Sequence, residues 1–214
     1  MGLMDLMSLA LHLWDRWRFE APPQERAWDE ARGVETSRWT LTGYEPTPLD
    51  IGLQALEVLP ATGRTFVDVG CGKGRMLVLA AESGFPSVLG VELDSNLYDQ
   101  ARDNVGENKQ IGVVLRDARL LPWPKGPLAI YLYNPFQEVV MGQMLDRLER
   151  SLRADPRPVD LVYVNPMCEH VFRGRGWRVL SDSGHGTTRW LHLRPDPFLC
   201  EPLRSPTPGL SQSP

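Results

Sequence analysis

Short, nearly continuous apolar runs alternate with longer amphipathic segments in the middle of the chain. Each run has the length of a β-strand, and the segments between the runs repeat apolar residues at helical spacing. Strands that are apolar along their whole length are typical of a parallel sheet covered by helices on both faces. The pattern therefore predicts an α/β fold built on a mostly parallel sheet. The predicted strands are Thr65–Val69, Ser87–Glu92, Ile111–Leu115, Leu128–Tyr133 and Val159–Val164.

Helices and a terminal hairpin are predicted around these strands. Ser95 is expected to be the N-cap of a helix that reaches about Asn108. Two later runs, 177–180 and 187–193, are separated only by a polar loop that contains glycine, so they predict an antiparallel hairpin. The other predicted helices cover 49–59, 75–82 and 137–152.

The chain divides into three zones by composition. Residues 1–45 are rich in tryptophan, and apolar residues at helical spacing over 3–17 predict an amphipathic helix that packs on the main domain or covers an active site. Residues 46–195 carry the α/β pattern and form the predicted main domain. Residues 196–214 are rich in proline and serine and are expected to have no fixed structure.

Composition and charge exclude several classes of protein. The chain has 214 residues, a net charge of −4 and three cysteines. No apolar run approaches the roughly 18 residues that a membrane span needs, and the acidity argues against a general nucleic-acid binder. The N-terminus lacks the basic start of a secretory signal. Cys71, Cys168 and Cys200 are too far apart and odd in number for a disulfide framework. We therefore expect a soluble cytoplasmic protein with no membrane or nucleic-acid partner.

The most specific motif is a glycine-rich loop between the first predicted strand and the helix after it. The loop runs Asp68-x-Gly70-x-Gly72-x-Gly74 and is followed by Arg75. Glycine lets the backbone turn sharply and lets a ligand approach it closely, and the helix that follows adds free N–H groups and a positive dipole end. The loop therefore predicts a ligand site.

Two further acids follow the next two strands. Glu92 stands twenty-two residues after Gly70, where a carboxylate can accept hydrogen bonds from both ribose hydroxyls of an adenosine ligand. Asp117 follows the third strand, where it can meet an adenine amino group. The carboxyl ends of parallel strands face the ligand crevice of an open α/β sheet, so we expect both acids at one site.

A dinucleotide site fits these residues less well. Its fingerprint is G-x-G-x-x-G, and here Arg75 occupies the place of the third glycine. Asp68 also lies two residues before Gly70, and a carboxylate so close gives nothing to a pyrophosphate. A ligand with a cationic amino group or sulfonium does gain from it.

Taken together, these motifs resemble class I S-adenosylmethionine-dependent methyltransferases over about residues 45–195. The glycine loop is similar to motif I of that family, Glu92 to its ribose-binding acid, and Asp117-Ala118 to its adenine-contacting motif. The resemblance implies a Rossmann-like, seven-stranded, mostly parallel sheet with an antiparallel C-terminal hairpin and helices on both faces. It also implies S-adenosylmethionine as cofactor and no metal. The cofactor-binding residues it implies are Asp68, Gly70, Cys71, Gly72, Gly74, Glu92, Leu93, Asp117 and Ala118.

The fourth predicted strand ends in a second motif, Asn134-Pro135-Phe136. It resembles the Asn-Pro-Pro-Phe/Tyr signature of amino-group methyltransferases, although the second proline is missing. The resemblance implies that these three residues are catalytic: carbonyl oxygens hold an N–H donor and the aromatic ring stacks on it. An ordinary strand end with a packed phenylalanine explains the same residues. The implied reaction is transfer of a methyl group to a nitrogen of a protein side chain or a small molecule.

Other features leave the acceptor and the activity open. Tyr44-Glu45-Pro46-Thr47-Pro48 ahead of motif I is similar to the layout of small protein-lysine N-methyltransferases. Glu169 and His170 could supply a base for a hydroxyl acceptor, as in a small-molecule O-methyltransferase, or could cover a strand end. The segment 173–178 could bind an anion or remain a solvated loop. A module that binds S-adenosylmethionine or S-adenosylhomocysteine without transfer is a further alternative.

Overall fold

The computed structural model describes residues 44–185 and 188–197, together with Ala27, Ala31 and Arg32. Within the two long ranges, seven strands form one sheet in the order β3-β2-β1-β4-β5-β7-β6. The strands are β1 Thr65–Val69, β2 Ser87–Glu92, β3 Ile111–Leu115, β4 Leu128–Tyr133, β5 Val159–Val164, β6 Trp177–His185 and β7 Thr188–Pro195. The helices of these ranges are α1 Leu49–Val58, α2 Arg75–Glu82, α3 Ser95–Val105, α4 Glu138–Ala154 and α5 Glu169–Arg173, with a 3-10 turn at Ala118–Leu120.

The sheet is parallel from β3 to β5 and antiparallel at its other end. Val67 of β1 pairs with Leu89 of β2 on one side and with Ile130 of β4 on the other. Strand β7 lies between β5 and β6 and runs antiparallel to both. The predicted fold class is confirmed. Because the strand order reverses between β1 and β4, the crevice at their carboxyl ends is the expected ligand site.

Two apolar layers cover the sheet, because alternate strand residues point to opposite faces. Val67 packs in the layer with Met144 and Leu148 of α4. Phe66, its neighbour in the chain, packs in the other layer with Leu77 of α2. Both layers contain fully buried side chains, so the sheet is a rigid support for the residues at its carboxyl end.

The start and end of α3 differ from the prediction. Asp94, not Ser95, is the N-cap, and its carboxylate accepts hydrogen bonds from the Asn96 and Leu97 N–H groups at 2.9 and 3.0 Å. Aspartate and serine are both favoured at this position, so pattern alone placed the cap one residue late. The helix ends at Val105, where Gly106 leaves the helical conformation, rather than at Asn108.

The hairpin is confirmed, and both of its strands are longer than predicted. Strand β6 continues to His185 and β7 to Pro195, because the backbone pairing extends through polar residues that give no apolar signal, such as Asp182 opposite Leu191. Helix α4 also begins one residue late and ends two residues late relative to the prediction, with Gln137 as its N-cap. Helix α5 and the 3-10 turn were not predicted, since elements this short have no periodicity to detect.

Most of the predicted terminal zones lie outside the described residues. The amphipathic helix over 3–17, Cys200 and the proline-rich tail beyond 197 therefore stay predictions. Arg32 does contact the main domain, because its Nε lies 2.7 Å from a Glu82 carboxylate oxygen at the end of α2. None of the helices in the described part of the chain is both long enough and apolar enough to cross a membrane.

Candidate active site

A cavity of about 880 Å³ opens at the carboxyl ends of β1, β2 and β4. This volume is within the range of small-molecule sites, about 300–1,000 Å³. The cavity brings together the glycine loop, the two acids that follow β2 and β3, and the residues that follow β4. The predicted site residues that line it are Asp68, Gly70, Cys71, Gly72, Glu92, Leu93, Asp117, Ala118, Asn134, Pro135 and Phe136. Gly74 is the one predicted site residue that does not, and it is the N-cap of α2.

The glycine loop is hydrogen-bonded to β2, and a side chain would not fit at Gly70 or Gly72. The Gly70 and Cys71 N–H groups both donate to the Val91 carbonyl oxygen, at 2.8 and 3.1 Å. A Cβ atom on Gly70 would lie 2.9 Å from the Pro135 Cβ, and one on Gly72 would lie 2.3 Å from the Tyr44 ring. Both glycines also have positive φ. They are therefore required for close approach of the chain segments on either side of the loop.

Glu92 binds the backbone of the loop as well as facing the cavity. Its Oε2 accepts a hydrogen bond from the Gly72 N–H at 2.9 Å, and its Oε1 accepts from the Leu93 and Asp94 N–H groups at 2.7 and 2.9 Å. A carboxylate has about four acceptor positions. One acceptor position remains, on Oε2, and it suffices for a hydrogen bond from one ribose hydroxyl. The sequence analysis expected hydrogen bonds from both ribose hydroxyls.

Asp68 is a buried carboxylate at the bottom of the cavity. No donor within 44–185 or 188–197 gives it a hydrogen bond, and it is 3% exposed. Burial raises its pKa well above the usual range, and repulsion from Glu92 raises it further. A carboxylate in this environment gains most from a cation. The cavity therefore favours a ligand with a positive charge near Asp68.

Cys71 lies beside these two acids and is chemically inert. Burial raises the pKa of its thiol, and the charges of Asp68 and Glu92 raise it further. The thiol therefore keeps its proton, and a protonated thiol is a poor nucleophile. Its Sγ lies 2.9 Å from where a Cβ on Gly90 would stand, so the side chain fills the space under the loop.

Asp117 caps the 3-10 turn at the far side of the cavity. Its carboxylate accepts from the Arg119 backbone N–H at 2.9 Å and from the Arg119 guanidinium. Hydrogen bonds from Arg119 lower the pKa of Asp117, so it is ionised. Ala118 and the exposed Leu93 line the cavity beside it and supply apolar surface for a flat ring.

Residues 44–47, which we call the strap, form a wall of the cavity that sequence motifs did not assign. The Arg75 Nη1 donates to the Thr47 carbonyl oxygen at 2.8 Å, and the Thr47 Oγ1 lies 2.9 Å from the Tyr131 hydroxyl. The Lys73 Nζ lies 5.5 Å from the centroid of the Tyr44 ring. Lys73 of the glycine loop and Arg75 at the start of α2 therefore hold the strap against the glycine loop.

The cavity contains two asparagines in the left-handed conformation, one after β4 and one after β5. Asn134 has φ 37° after β4, and Asn165 has φ 48° after β5. Each precedes a proline, and both line the cavity. Asparagine tolerates this conformation better than most residues, and strained backbone is frequent at functional sites. The second Asn-Pro was visible in the sequence but had no role assigned to it.

The Asn134-Pro135-Phe136 motif borders the glycine loop directly. Pro135 packs against Gly70, and Phe136 is half-buried against the apolar layer that contains α4. The Asn134 Oδ1 accepts a hydrogen bond from the Tyr163 hydroxyl at 3.3 Å. The motif is thus part of the packing and part of the cavity wall, as both interpretations of the sequence required.

Further cavity residues were not predicted because they resemble core. Tyr131 and Tyr133 belong to the apolar run of β4, and nothing in the pattern separates them from buried packing residues. Burial raises the pKa of the Tyr131 hydroxyl well above its usual value, and the charge of Asp68 adds to this. Other unpredicted lining residues are Met76, Leu97, Arg116, Arg119, Gln137 and Val140.

The candidate base residues lie outside the cavity. Glu169 is bound to Arg173 and Arg189 at 2.6 and 2.8 Å, and these hydrogen bonds lower its pKa. The His170 Nε2 lies 3.2 Å from the Glu138 carboxylate on the surface. Neither residue lines the cavity.

Two of the three arginines of segment 173–178 form ion pairs, and the third, Arg178, is exposed. Arg173 pairs with Glu169, and the Arg175 Nη1 lies 2.6 Å from Asp146 and 3.3 Å from the buried Glu149. Burial lowers the pKa of Arg175, but its hydrogen bonds to these two carboxylates and their charges outweigh this and raise the pKa. Arg173 and Arg175 therefore stabilise α5 and α4, and neither lines the cavity.

Comparison with known proteins bears on the same region of the chain. Residues 66–155 match the protein family described as a methyltransferase domain. Over these residues the chain is therefore similar to methyltransferase domains. The matched residues include the glycine loop, both acids and the Asn134-Pro135-Phe136 motif.

Curated proteins similar to this chain include ribosomal protein L11 methyltransferases. The protein from Vibrio campbellii is 27% identical over 146 residues, which cover 60% of this chain and 48% of the relative. The one from Halalkalibacterium halodurans is 34% identical over 106 residues, covering 49% of this chain and 34% of the relative. The chain thus spans about half, or less, of the relatives it matches.

A solved structure shares the fold. It is a SAM-dependent methyltransferase from Aquifex aeolicus, which superimposes with a TM-score of 0.55 at 16% identity and covers 67% of this chain and 88% of its own. At this identity the likeness shows the architecture and no more.

Proposed function

We propose that this protein transfers a methyl group from S-adenosylmethionine to a nitrogen atom of an acceptor. One observation carries the proposal: Pro135 of the acceptor motif packs on Gly70 of the glycine loop, so both motifs border a single cavity. A cofactor on the loop and an acceptor at Asn134 would therefore be neighbours. The methyltransferase-domain match and the names of the relatives support the same activity.

The cavity residues fit this cofactor. Asp68 is a buried carboxylate that needs a cation, and S-adenosylmethionine has a cationic amino group and a sulfonium. The remaining acceptor position on the Glu92 Oε2 suits a ribose hydroxyl. Leu93 and Ala118 offer apolar surface, and Asp117 an acceptor, for adenine. The same set would not suit a pyrophosphate, because two carboxylates face the loop.

Catalysis requires little of the protein beyond positioning. When bound, the cofactor supplies a methyl group already activated by the positive sulfur. Asn134 and the backbone oxygen of Pro135 would accept hydrogen bonds from the acceptor N–H and orient its lone pair. Phe136 would pack against the acceptor. Holding the reacting atoms in line is worth several kcal/mol, on the order of 7–11 in the best intramolecular cases.

A nitrogen acceptor is favoured over a hydroxyl acceptor. A hydroxyl needs a base, and Glu169 and His170 are held in surface ion pairs away from the cavity. A neutral amine needs only oriented acceptors. We further propose that the acceptor belongs to a protein. The relatives are named for methylation of ribosomal protein L11, and the aromatic residues Tyr44, Tyr133 and Phe136 line the cavity.

We also propose that residues 1–45 cover the active site and that the domain extends over 46–195. The strap supports this division, because Tyr44 and Glu45 already line the cavity. A cytoplasmic location is proposed as well. Cys71 and Cys168 support it, since both are buried free thiols in the described part of the chain.

Binding and transfer are tested separately with the full chain. Calorimetry with S-adenosylmethionine and S-adenosylhomocysteine measures cofactor binding. Tritium-labelled S-adenosylmethionine is then incubated with three acceptors: ribosomal protein L11, the protein fraction of a cell extract, and the small-molecule filtrate of that extract. Label in a protein amine supports the proposal. Binding without label in any fraction indicates a module without transfer, and label that alkali releases from oxygen overturns the nitrogen assignment.

A further inference from the structure

A chain of two hydrogen bonds leads from the backbone of one loop to the side chain of Asn134. The Cys168 N–H donates to the Tyr163 hydroxyl oxygen at 3.2 Å, and that hydroxyl lies 3.3 Å from the Asn134 Oδ1. Tyr163 is on β5, which pairs with β4, and Asn134 directly follows β4. The three groups therefore connect the loop after β5 to the acceptor motif after β4.

The direction of these hydrogen bonds is fixed by chemistry. A backbone N–H can only donate, so the Tyr163 oxygen accepts from Cys168. The hydroxyl has one proton, which remains for the Asn134 side chain, and only the oxygen of an amide can accept it. Burial raises the pKa of Tyr163 to about 12, so the proton is present at neutral pH. Tyr163 thus determines which end of the Asn134 amide is the oxygen.

Tyr163 is held far more firmly than Asn134. Its side chain is fully buried, and its ring lies 5.5 Å from that of Phe172 in the apolar layer. Asn134 is exposed at the cavity and has a left-handed backbone. A free amide of this kind rotates about its last side-chain torsion, which has a broad energy profile. The contact with a rigid hydroxyl restricts that rotation.

We propose that Tyr163 is a positioning residue for methyl transfer, which orients the Asn134 amide so that the second acceptor position of Oδ1 is kept for the N–H of the acceptor. The inference rests on the proposed function, because it needs Asn134 to bind the acceptor. Tyr163 does not line the cavity. It acts through Asn134 and touches neither cofactor nor acceptor.

The first test is Tyr163→Phe, which removes the hydroxyl and keeps the ring. The rate of label transfer into extract protein is measured over a range of labelled S-adenosylmethionine, and cofactor affinity is measured by calorimetry. We expect kcat to fall roughly three- to tenfold, the scale of one neutral hydrogen bond, with the cofactor Kd unchanged. A fall in cofactor affinity as large as that in kcat would overturn the proposal.

The decisive test repeats the substitution in an Asn134→Gly background. Glycine is the suitable replacement because it accepts the positive φ of this position. If Tyr163 acts through Asn134, Tyr163→Phe has no further effect on kcat once the amide is gone. Equal effects in both backgrounds would show a purely structural role. Tyr131→Phe is the matched control, since its hydroxyl contacts Thr47, and its effect should be the same in both backgrounds.

A folding defect does not leave the inference untested. If Tyr163→Phe is unfolded by circular dichroism, 3-fluorotyrosine is incorporated at position 163, which makes the hydroxyl more acidic with little change in size. The inference predicts that the fluorinated tyrosine changes kcat in the protein that retains Asn134 and does not change kcat in the Asn134→Gly variant. Wild-type protein that transfers no label contradicts the proposed function itself. Wild-type transfer with no coupling between positions 163 and 134 contradicts the inference alone.

Discussion

The Arg75 guanidinium donates to the Thr47 carbonyl oxygen at 2.8 Å and thereby ties the strap to the start of α2. Arg75 is only 2% exposed, so this contact is made away from water. The same arginine replaces the third glycine of a dinucleotide fingerprint. Its position therefore explains both why the chain lacks that fingerprint and how the cavity keeps its outer wall.

Arg75→Ala is expected to loosen the strap and weaken cofactor binding. Hydrogen bonds to charged groups contribute about 1.5–3 kcal/mol, so we expect the S-adenosylmethionine Kd to rise at least about tenfold. Calorimetry measures the Kd, and thermal unfolding reports the accompanying loss of stability. Arg102→Ala on the exposed face of α3 is the control. An Arg75→Ala protein with the affinity of the control would show that the strap plays no part in binding.

Asp68→Asn is expected to weaken cofactor binding while stabilising the free protein. The pKa of Asp68 is raised in the folded state, so the folded protein holds this proton to higher pH than the unfolded chain does. The free energy of unfolding therefore decreases as pH rises through the folded pKa. The Asn variant lacks this decrease and should be the more stable protein at neutral pH.

Urea unfolding of both proteins across acidic to neutral pH tests this sign. The difference in stability should grow with pH in favour of Asp68→Asn, while its S-adenosylmethionine Kd rises about ten- to a hundredfold through loss of a charged partner. Parallel stability curves would contradict the raised pKa. An unchanged Kd would contradict the assignment of Asp68 to the cationic part of the cofactor.

Glu92→Ala should cost both cofactor affinity and stability. Three backbone N–H groups lose their acceptor, and the ribose hydroxyl loses its partner. We expect cofactor binding to weaken by about 1–3 kcal/mol and the free energy of unfolding to fall by a similar amount. Calorimetry and urea unfolding measure the two losses, with the exposed Glu107→Ala as control. Reduced stability with normal cofactor affinity would make Glu92 a loop anchor only.

Asn134→Gly should lower kcat at least about tenfold, the scale of one or two lost acceptor contacts, with little change in cofactor Kd. Asn134→Asp keeps acceptor oxygens and should lower kcat less. Asn134→Ala is the less informative variant. Its φ of 37° would strain alanine by roughly 1–2 kcal/mol, so stability and activity would fall together. Thermal unfolding separates the three variants. Equal losses of kcat and cofactor affinity in Asn134→Gly would place this residue against the cofactor.

The five parallel strands were predictable to the residue because each is a nearly continuous apolar run, which is typical of strands in a covered parallel sheet. The same apolar pattern did not distinguish Tyr131 and Tyr163 from core residues. A tyrosine inside such a run looks like core, and its hydroxyl gains a role only through a partner on another element, here Thr47 and Asn134. Sequence spacing carries no information about such partners.

The cavity residues were predictable where they lie at or just after the carboxyl ends of strands, as Asp68, Glu92 and Asn134 do. The strap was not, because its contact with Arg75 joins residues 28 positions apart through a backbone oxygen. Asn165 was only partly predictable. The sequence shows that it precedes a proline, as Asn134 does, but only the structure shows that both residues have a left-handed backbone and line the same cavity.

Methyl transfer is tested most directly by incubating the full chain with tritium-labelled S-adenosylmethionine and extract protein, beside Asn134→Gly at equal cofactor occupancy. The expected result is label on a protein nitrogen with an equal amount of S-adenosylhomocysteine formed by the wild-type protein, and at least about tenfold less by the variant. Tight cofactor binding with no label transferred by the wild-type protein to protein or to small molecules would contradict the proposed activity.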